Sequence, residues 1–304
     1  MVIRYNKTIK KNQQLRKKRQ KKTQNKKTKK NIQCSPKRNS LNFTCYSQRS
    51  LHRLKKFWNA RHPDILIKTN DNVEIWKQLN NNLSNICNNE KCWLQQKFIK
   101  NHLDRELLNY TFAPDAPETW KKNPNTWLNS LDIENVMIQY EKVYPNFEFI
   151  GPSPIDFDTK KLYGSCVWDE LCKFKLSEKI KHGIDKIGVV FNTDPHYEPG
   201  EHWIALFIDI KHKYIFFFNS TGEKILPEIN RLVRRIIAQG KELDIKLRFI
   251  QNHPFIHQTS KTECGIYVLY TIIELLKESK TPEYFLKHRI SDSEMEKLRK
   301  VYFN

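Results

Sequence analysis

Residues 264–276 read Cys-Gly-Ile-Tyr-Val-Leu-Tyr-Thr-Ile-Ile-Glu-Leu-Leu. A helix that is apolar around nearly its whole circumference must be wrapped by other elements. The fold is therefore constrained to surround one central helix, and 304 residues suffice for such a core with extensions. The helix opens on Cys264 with Gly265 directly behind it, after a polar loop over residues 258–263. A thiol at the head of a helix lies at the positive end of the macrodipole, which favours the thiolate.

Upstream, the texture is that of strands. Residues 187–191, 203–210, 214–218 and 245–250 are short, apolar and rich in β-branched and aromatic side chains. A helix is expected over residues 226–239, stopped by Gly240, and another from Asn129 or Ser130, with Ile133, Met137, Tyr140 and Tyr144 on its buried face and Pro145 ending it. Only Lys211-His212-Lys213 separates the second and third strand segments, which predicts a hairpin. A turn centred between Ile210 and Lys211 makes His202 and Asn219 cross-strand neighbours, so that the amide can orient the imidazole. Other histidines, His196, His212, His253 and His257, show no polar partner at a matching distance across a turn.

A base, an orienting amide and a thiol in the chain order His, Asn, Cys, with a glycine where backbone must approach an oxyanion, form the constellation of nucleophilic thiol catalysis. These residues resemble a known group. His202-Trp203, Asn219-Ser220, and Gln258 six residues before Cys264-Gly265 are similar to the cysteine proteases that remove ubiquitin-like modifiers such as SUMO, a clan that includes the adenovirus proteinase. Trp127-Leu128-Asn129 resembles the segment that opens their catalytic domain. The particular likeness is to the polyprotein-processing protease of African swine fever virus and its relatives in other large DNA viruses.

The resemblance implies an α+β, papain-like cysteine protease fold of the SUMO-protease type: a central mixed sheet and a buried helix starting at the catalytic Cys, preceded by a helical extension. It implies Cys264 as nucleophile, His202 as base and then acid, Asn219 as its orienting partner, and Gln258 with the backbone N–H of Cys264 as the oxyanion hole. Trp127 and Trp203 would flatten a Gly-Gly segment on its way to the thiol. Asn219 stands where the deconjugases have Asp, so it orients the imidazole without adding negative charge. The expected activity is cleavage after Gly-Gly in viral precursor proteins, within a virion, by an enzyme made in the host cytoplasm. The other activities weighed are SUMO deconjugation, an acetyltransferase on the same triad, and a catalytically inert nucleic-acid-binding virion protein.

Charge divides the chain. No acidic residue precedes Asp64, and residues 1–63 hold 21 Lys and Arg, leaving 33 basic residues against 33 acidic ones in the rest. The expected organisation is a basic disordered arm over residues 1–45, a helical accessory region over 46–115, and the catalytic domain over 116–304. An arm of this charge suits phosphate backbones, and binding through residues 1–63 should ignore sequence. Seven cysteines without regular spacing argue against a disulfide framework and for a reducing compartment. Cys166 and Cys172 read as buried thiols, and Cys87, Cys92 and His102 are too loosely spaced for a metal site. No cofactor, no metal and no membrane span are expected, and the protein is expected to be a monomer.

Overall fold

The computed structural model describes residues 32–36 and 41–304. Most of the basic arm thus lies outside the described residues. Its last part does not behave as an arm: Cys34 bridges to Phe112, Ser35 N–H donates to the Thr111 carbonyl, and Cys45 and Tyr46 are buried.

The accessory region begins with helices α1 (Gln48–Arg61) and α2 (Asn72–Leu83). Each starts on a side chain that accepts from the first turn, Ser47 and Asp71 respectively, the favoured N-cap chemistry. They close, with shorter helical turns as far as residue 109, over a core of Leu51, Leu54, Trp58, Ile75, Leu79 and Trp93.

Helix α3 (Ser130–Val143) joins this region to the catalytic body. Asn129 caps it in a reciprocal capping box with Asp132. Buried Gln139 turns back from it to donate to the carbonyls of Asn109 and Phe112. At the opposite end of the chain, the Asn304 side chain accepts from Gln33 N–H and donates to the Gln33 and Ala113 carbonyls.

The body is a five-stranded mixed sheet in the order β1 (Phe147–Pro154), β2 (Lys186–Asn192), β3 (Trp203–Asp209), β4 (Tyr214–Phe218) and β5 (Arg248–Gln251). The outer pairs are parallel and the inner two antiparallel. Every residue of β3 is buried, and its side chains alternate between two cores. Trp203, Ala205 and Phe207 meet helix α5 (Cys264–Leu276), whereas Ile204, Leu206 and Ile208 meet helix α4 (Pro227–Glu242). Gly188 on β2 lets α5 come close, since a Cβ there would lie 2.9 Å from Ile272 Cγ2.

Three expectations are corrected. Gly240 does not stop α4. The helix runs two residues further, and its stop is built on Asp244 at φ +57°, with Ile245 N–H returning to the Gly240 carbonyl and Asp244 N–H to that of Lys241. That turn consumes residues 243–247, so β5 begins at Arg248 rather than near 245. Finally, the cysteines are not free thiols: Cys34–Cys45, Cys87–Cys92 and Cys166–Cys172 are bonded pairs, and Cys264 alone is free. An odd count is three pairs plus one. His102 stacks on Phe57 instead of approaching the Cys87–Cys92 pair. Among the described residues, no helix is long and apolar enough to cross a membrane.

The last long helix, α6 (Asp292–Tyr302), carries Arg299. Its guanidinium forms a bidentate pair with the buried Glu263, both contacts at 2.8 Å, and donates to the carbonyls of Pro124, Thr126 and Thr262. Removing one partner of a buried pair leaves the other charge uncompensated. Arg299→Met should therefore cost about 3–5 kcal/mol in urea denaturation, and the double variant Arg299→Met with Glu263→Met should recover a large part of that loss. Equal losses in both would show that the pairing is not what holds these segments.

Candidate active site

Cys264 is the first residue of α5 and is 1% exposed. The backbone N–H groups of Trp203, Gly265 and Cys264 itself pull on its thiol. Trp203, which opens β3 and follows His202 in the chain, packs in the same core as Cys264. His202 in turn meets Asn219, just past the end of β4, with Nε2 to Oδ1 at 2.8 Å. The amide orientation is fixed independently, because Asn219 Oδ1 also accepts from the Thr221 backbone N–H at 3.1 Å and hydroxyl at 2.8 Å. An acceptor at Oδ1 requires His202 to carry its proton on Nε2, which leaves Nδ1 with a lone pair.

The hairpin that does this is not in the expected register. Ala205 pairs with Phe218 and Asp209 with Tyr214, so the turn centres one residue later, between Lys211 and His212. His202 and Asn219 are then diagonal rather than opposed. A shift of the turn centre by one whole residue moves pairing by two, and the side-chain period of a strand is two. Both side chains therefore stay on one face, and diagonal neighbours remain within reach of a long side chain.

Gln258 joins through Ser220. Its backbone N–H donates to the Ser220 carbonyl, and its buried side-chain oxygen accepts from the Ser220 hydroxyl at 2.6 Å. That bond fixes the amide, whose Nε2 donates to the Ser260 carbonyl. His202 thus bonds Asn219, the next residue Ser220 bonds Gln258, and Trp203 after His202 shares its core with Cys264. Trp203 is buried, and its indole donates to the Leu128 carbonyl at 2.8 Å. Trp127, one residue before, is 42% exposed. The two tryptophans differ accordingly: one is part of the core and the other stands at the surface beside it.

The remaining histidines lie elsewhere. His196 and His212 do have carboxylate partners, Asp156 and Asp209, which spacing across a turn did not disclose. His253 bonds the Gly222 carbonyl, and His257 is held between Phe285 and Ile290, with burial pushing it down to about 4. Sequence spacing also gave no sign of Asn252, whose buried amide exchanges two bonds with the Asn219 backbone, or of Asp292, which holds Thr259 and Ser260 ahead of the nucleophile. Ser220 was visible only as part of a motif.

The electrostatics correct the thiolate expectation. Burial pushes the Cys264 thiol up, and this outweighs the three N–H groups that pull it down. Burial pushes His202 down, against the opposing Asn219 bond and Glu223 charge. Both shifts favour the neutral forms, thiol and imidazole. The arrangement can transfer the thiol proton to Nδ1 as sulfur attacks and return it to a leaving group.

The fold and site define a cysteine-type peptidase. Residues 172–304 match the family model described as Ulp1 protease family, C-terminal catalytic domain, and the chain carries that type of domain. It is 26% identical over 293 residues to a protein of Acanthamoeba polyphaga mimivirus named as a thiol protease, covering 89% of this chain and 92% of that one. It is 25% identical over 235 residues to a cysteine protease of African swine fever virus, covering 71% and 83%. The crystal structure of the African swine fever virus protease superposes with a TM-score of 0.65 at 21% identity, over 90% of this chain and 95% of that one. Its overlap extends across the accessory region, well beyond the segment that the family model matches.

The upward push on the Cys264 thiol sets the pH dependence of its alkylation. Alkylation of Cys264 by iodoacetamide requires thiolate, so with its pKa raised the rate should still be climbing beyond about pH 8.5, the ordinary thiol range. A flat rate between pH 5 and 8 would instead show a preformed thiolate–imidazolium pair.

Proposed function

We propose that the protein is an endopeptidase that cleaves after Gly-Gly in precursor proteins of a large DNA virus, with Cys264 as nucleophile, His202 as base and acid, Asn219 orienting His202, and Gln258 with the Cys264 N–H receiving the oxyanion. The single observation that supports it most is the His202–Asn219 bond with the adjoining Ser220–Gln258 bond. It holds an oriented imidazole and an amide donor at the end of β4, and Cys264 packs in one core with Trp203, the neighbour of His202. The Gly-Gly preference rests on the likeness in Trp127 and Trp203: the Trp203 indole is fixed to the Leu128 carbonyl, and Trp127 stands exposed one residue before Leu128. Action within the virion, and synthesis in host cytoplasm, are part of the same proposal and rest on the viral relatives.

The test is turnover of Gly-Gly-X peptides by purified protein, alongside modifier conjugates and a Cys264→Ala control. Replacing either glycine by Ala should cut turnover at least about tenfold, whereas changes at X should be tolerated. Equal tolerance at all three positions would remove the Gly-Gly specificity, and faster release of a SUMO-type modifier would replace it with deconjugation.

The basic residues of 1–63 are proposed as a sequence-independent nucleic-acid contact. Within the described part, Arg53 is engaged by Asp104 and Lys55 by backbone carbonyls of Lys68 and Thr69, and 16 of the 21 basic residues lie outside it. Deleting residues 1–31 should abolish duplex DNA binding at about 0.15 M salt and spare peptide cleavage. Binding that survives the deletion would place the contact elsewhere.

A further inference from the structure

The orienting residue of this site is an amide, which carries no charge to set against the imidazolium that forms when His202 takes the thiol proton. A carboxylate stands directly behind it. Asn219 Oδ1 is occupied by His202 and Thr221, and Asn219 Nδ2 donates to Glu223 Oε2 at 3.4 Å. The placement of Glu223 follows from the local backbone. Asn219 N–H and carbonyl are fixed by Asn252, and Gly222 N–H returns to the Asn219 carbonyl at 2.9 Å. Gly222 then takes φ +75° where a Cβ would lie 3.0 Å from the Phe255 backbone. This tight turn folds the chain back so that the residue after it faces the amide of the residue that begins it.

Resting on the assignment of His202 and Cys264 made above, we infer that Glu223 is a positioning residue that supplies, through Asn219, the negative charge this triad otherwise lacks. A carboxylate on one side of an amide polarises it and strengthens the acceptor on the other side, since hydrogen bonds in a chain reinforce one another. Proton transfer from Cys264 Sγ to His202 Nδ1 then leaves a cation facing Asn219 Oδ1, with the anion one side chain further on. No group besides Cys264 and His202 changes its protonation. The Glu223 charge also acts on His202 in the direction of holding its proton. Glu223 is exposed overall, so its influence is partly screened by water and salt. The other charged or titratable groups beside these residues are Cys264 facing His202, Glu201 next to it in the chain, Lys224 next to Glu223, and His253, whose Nδ1 meets the Gly222 carbonyl.

Glu223→Gln keeps an acceptor for Asn219 Nδ2 and removes only the charge. It should lower kcat/KM about fivefold at low salt, with kcat rather than KM affected, and the deficit should shrink as salt is raised. Because the charge raises the imidazole pKa, its loss should also move the acid limb of the pH–rate profile to lower pH. His253→Gln serves as the control that removes the neighbouring imidazole, and should leave the acid limb in place. Asn219→Asp sets two carboxylates against each other and should lose activity, whereas Asn219→Asp with Glu223→Gln should be more active than Asn219→Asp alone. Thermal unfolding of each variant separates lost folding from lost chemistry. An unshifted acid limb in a folded Glu223→Gln, or no recovery in the double variant, would overturn the role of Glu223 while inactive Cys264→Ala and His202→Ala leave the site assignment intact. Retained cleavage in those two would overturn the site itself.

Discussion

One guanidinium holds the geometry together. Arg299 has five N–H groups and each finds an acceptor: two on Glu263, one each on the carbonyls of Thr262, Thr126 and Pro124. Its planar face lies over Trp120 at 4.5 Å. It ties together three places that share no local structure: α6, which carries it, the residues immediately before Cys264, and the strip leading to Trp127 and Leu128. A buried ion pair contributes little against an apolar replacement of the same volume, because desolvation offsets the attraction. What it supplies here is direction. A planar, fully bonded guanidinium allows one relative placement of the nucleophile helix and the Trp127 strip, and an apolar contact would allow several.

The chemistry depends on the same closure. Burial that wraps α5 also pushes the thiol up and the imidazole down, which favours the proton on sulfur. A neutral pair is less exposed to stray electrophiles than a standing thiolate. It also makes stabilisation of the developing imidazolium and oxyanion more consequential. That explains why the amides here are so firmly held. Asn219 and Gln258 each have their oxygen fixed by a neighbouring donor, Thr221 in one case and Ser220 in the other.

Much of this was legible in the residues. Helix α5 and strand β4 begin and end where the pattern puts them, because an all-apolar run and an aromatic run bounded by polar residues leave little choice. The hairpin was legible only to within its turn: Lys213 takes φ +59°, which lengthens the loop and displaces the register, and the period of two preserved the His202–Asn219 contact. Strand β1 is absent from the sequence reading: its Gly151-Pro152-Ser153-Pro154 breaks the run of β-branched and aromatic residues by which strands are recognised. It lies at the sheet edge, where Pro is tolerated, and the ladder shifts between Ile150 and Ser153. The Arg299–Glu263 pair, like Asn252 and Asp292, depends on long-range placement that no local spacing encodes.

The nucleophile and its walls differ in how deeply they are rooted. Cys264 begins a helix buried on all sides against a central strand, and the backbone bonds of such elements open only when the whole domain does. Residues 117–127 are mostly exposed, and their attachment to the body runs largely through Arg299 and the edge-on packing of Trp120 against Phe303. In native-state hydrogen exchange the two should separate into different cooperative units, α5 and β3 exchanging at the global limit and the Trp127 strip by local opening. If the proposed substrate passes Trp127 toward Cys264, its entry draws on the free energy of opening that strip and leaves the buried sulfur undisturbed.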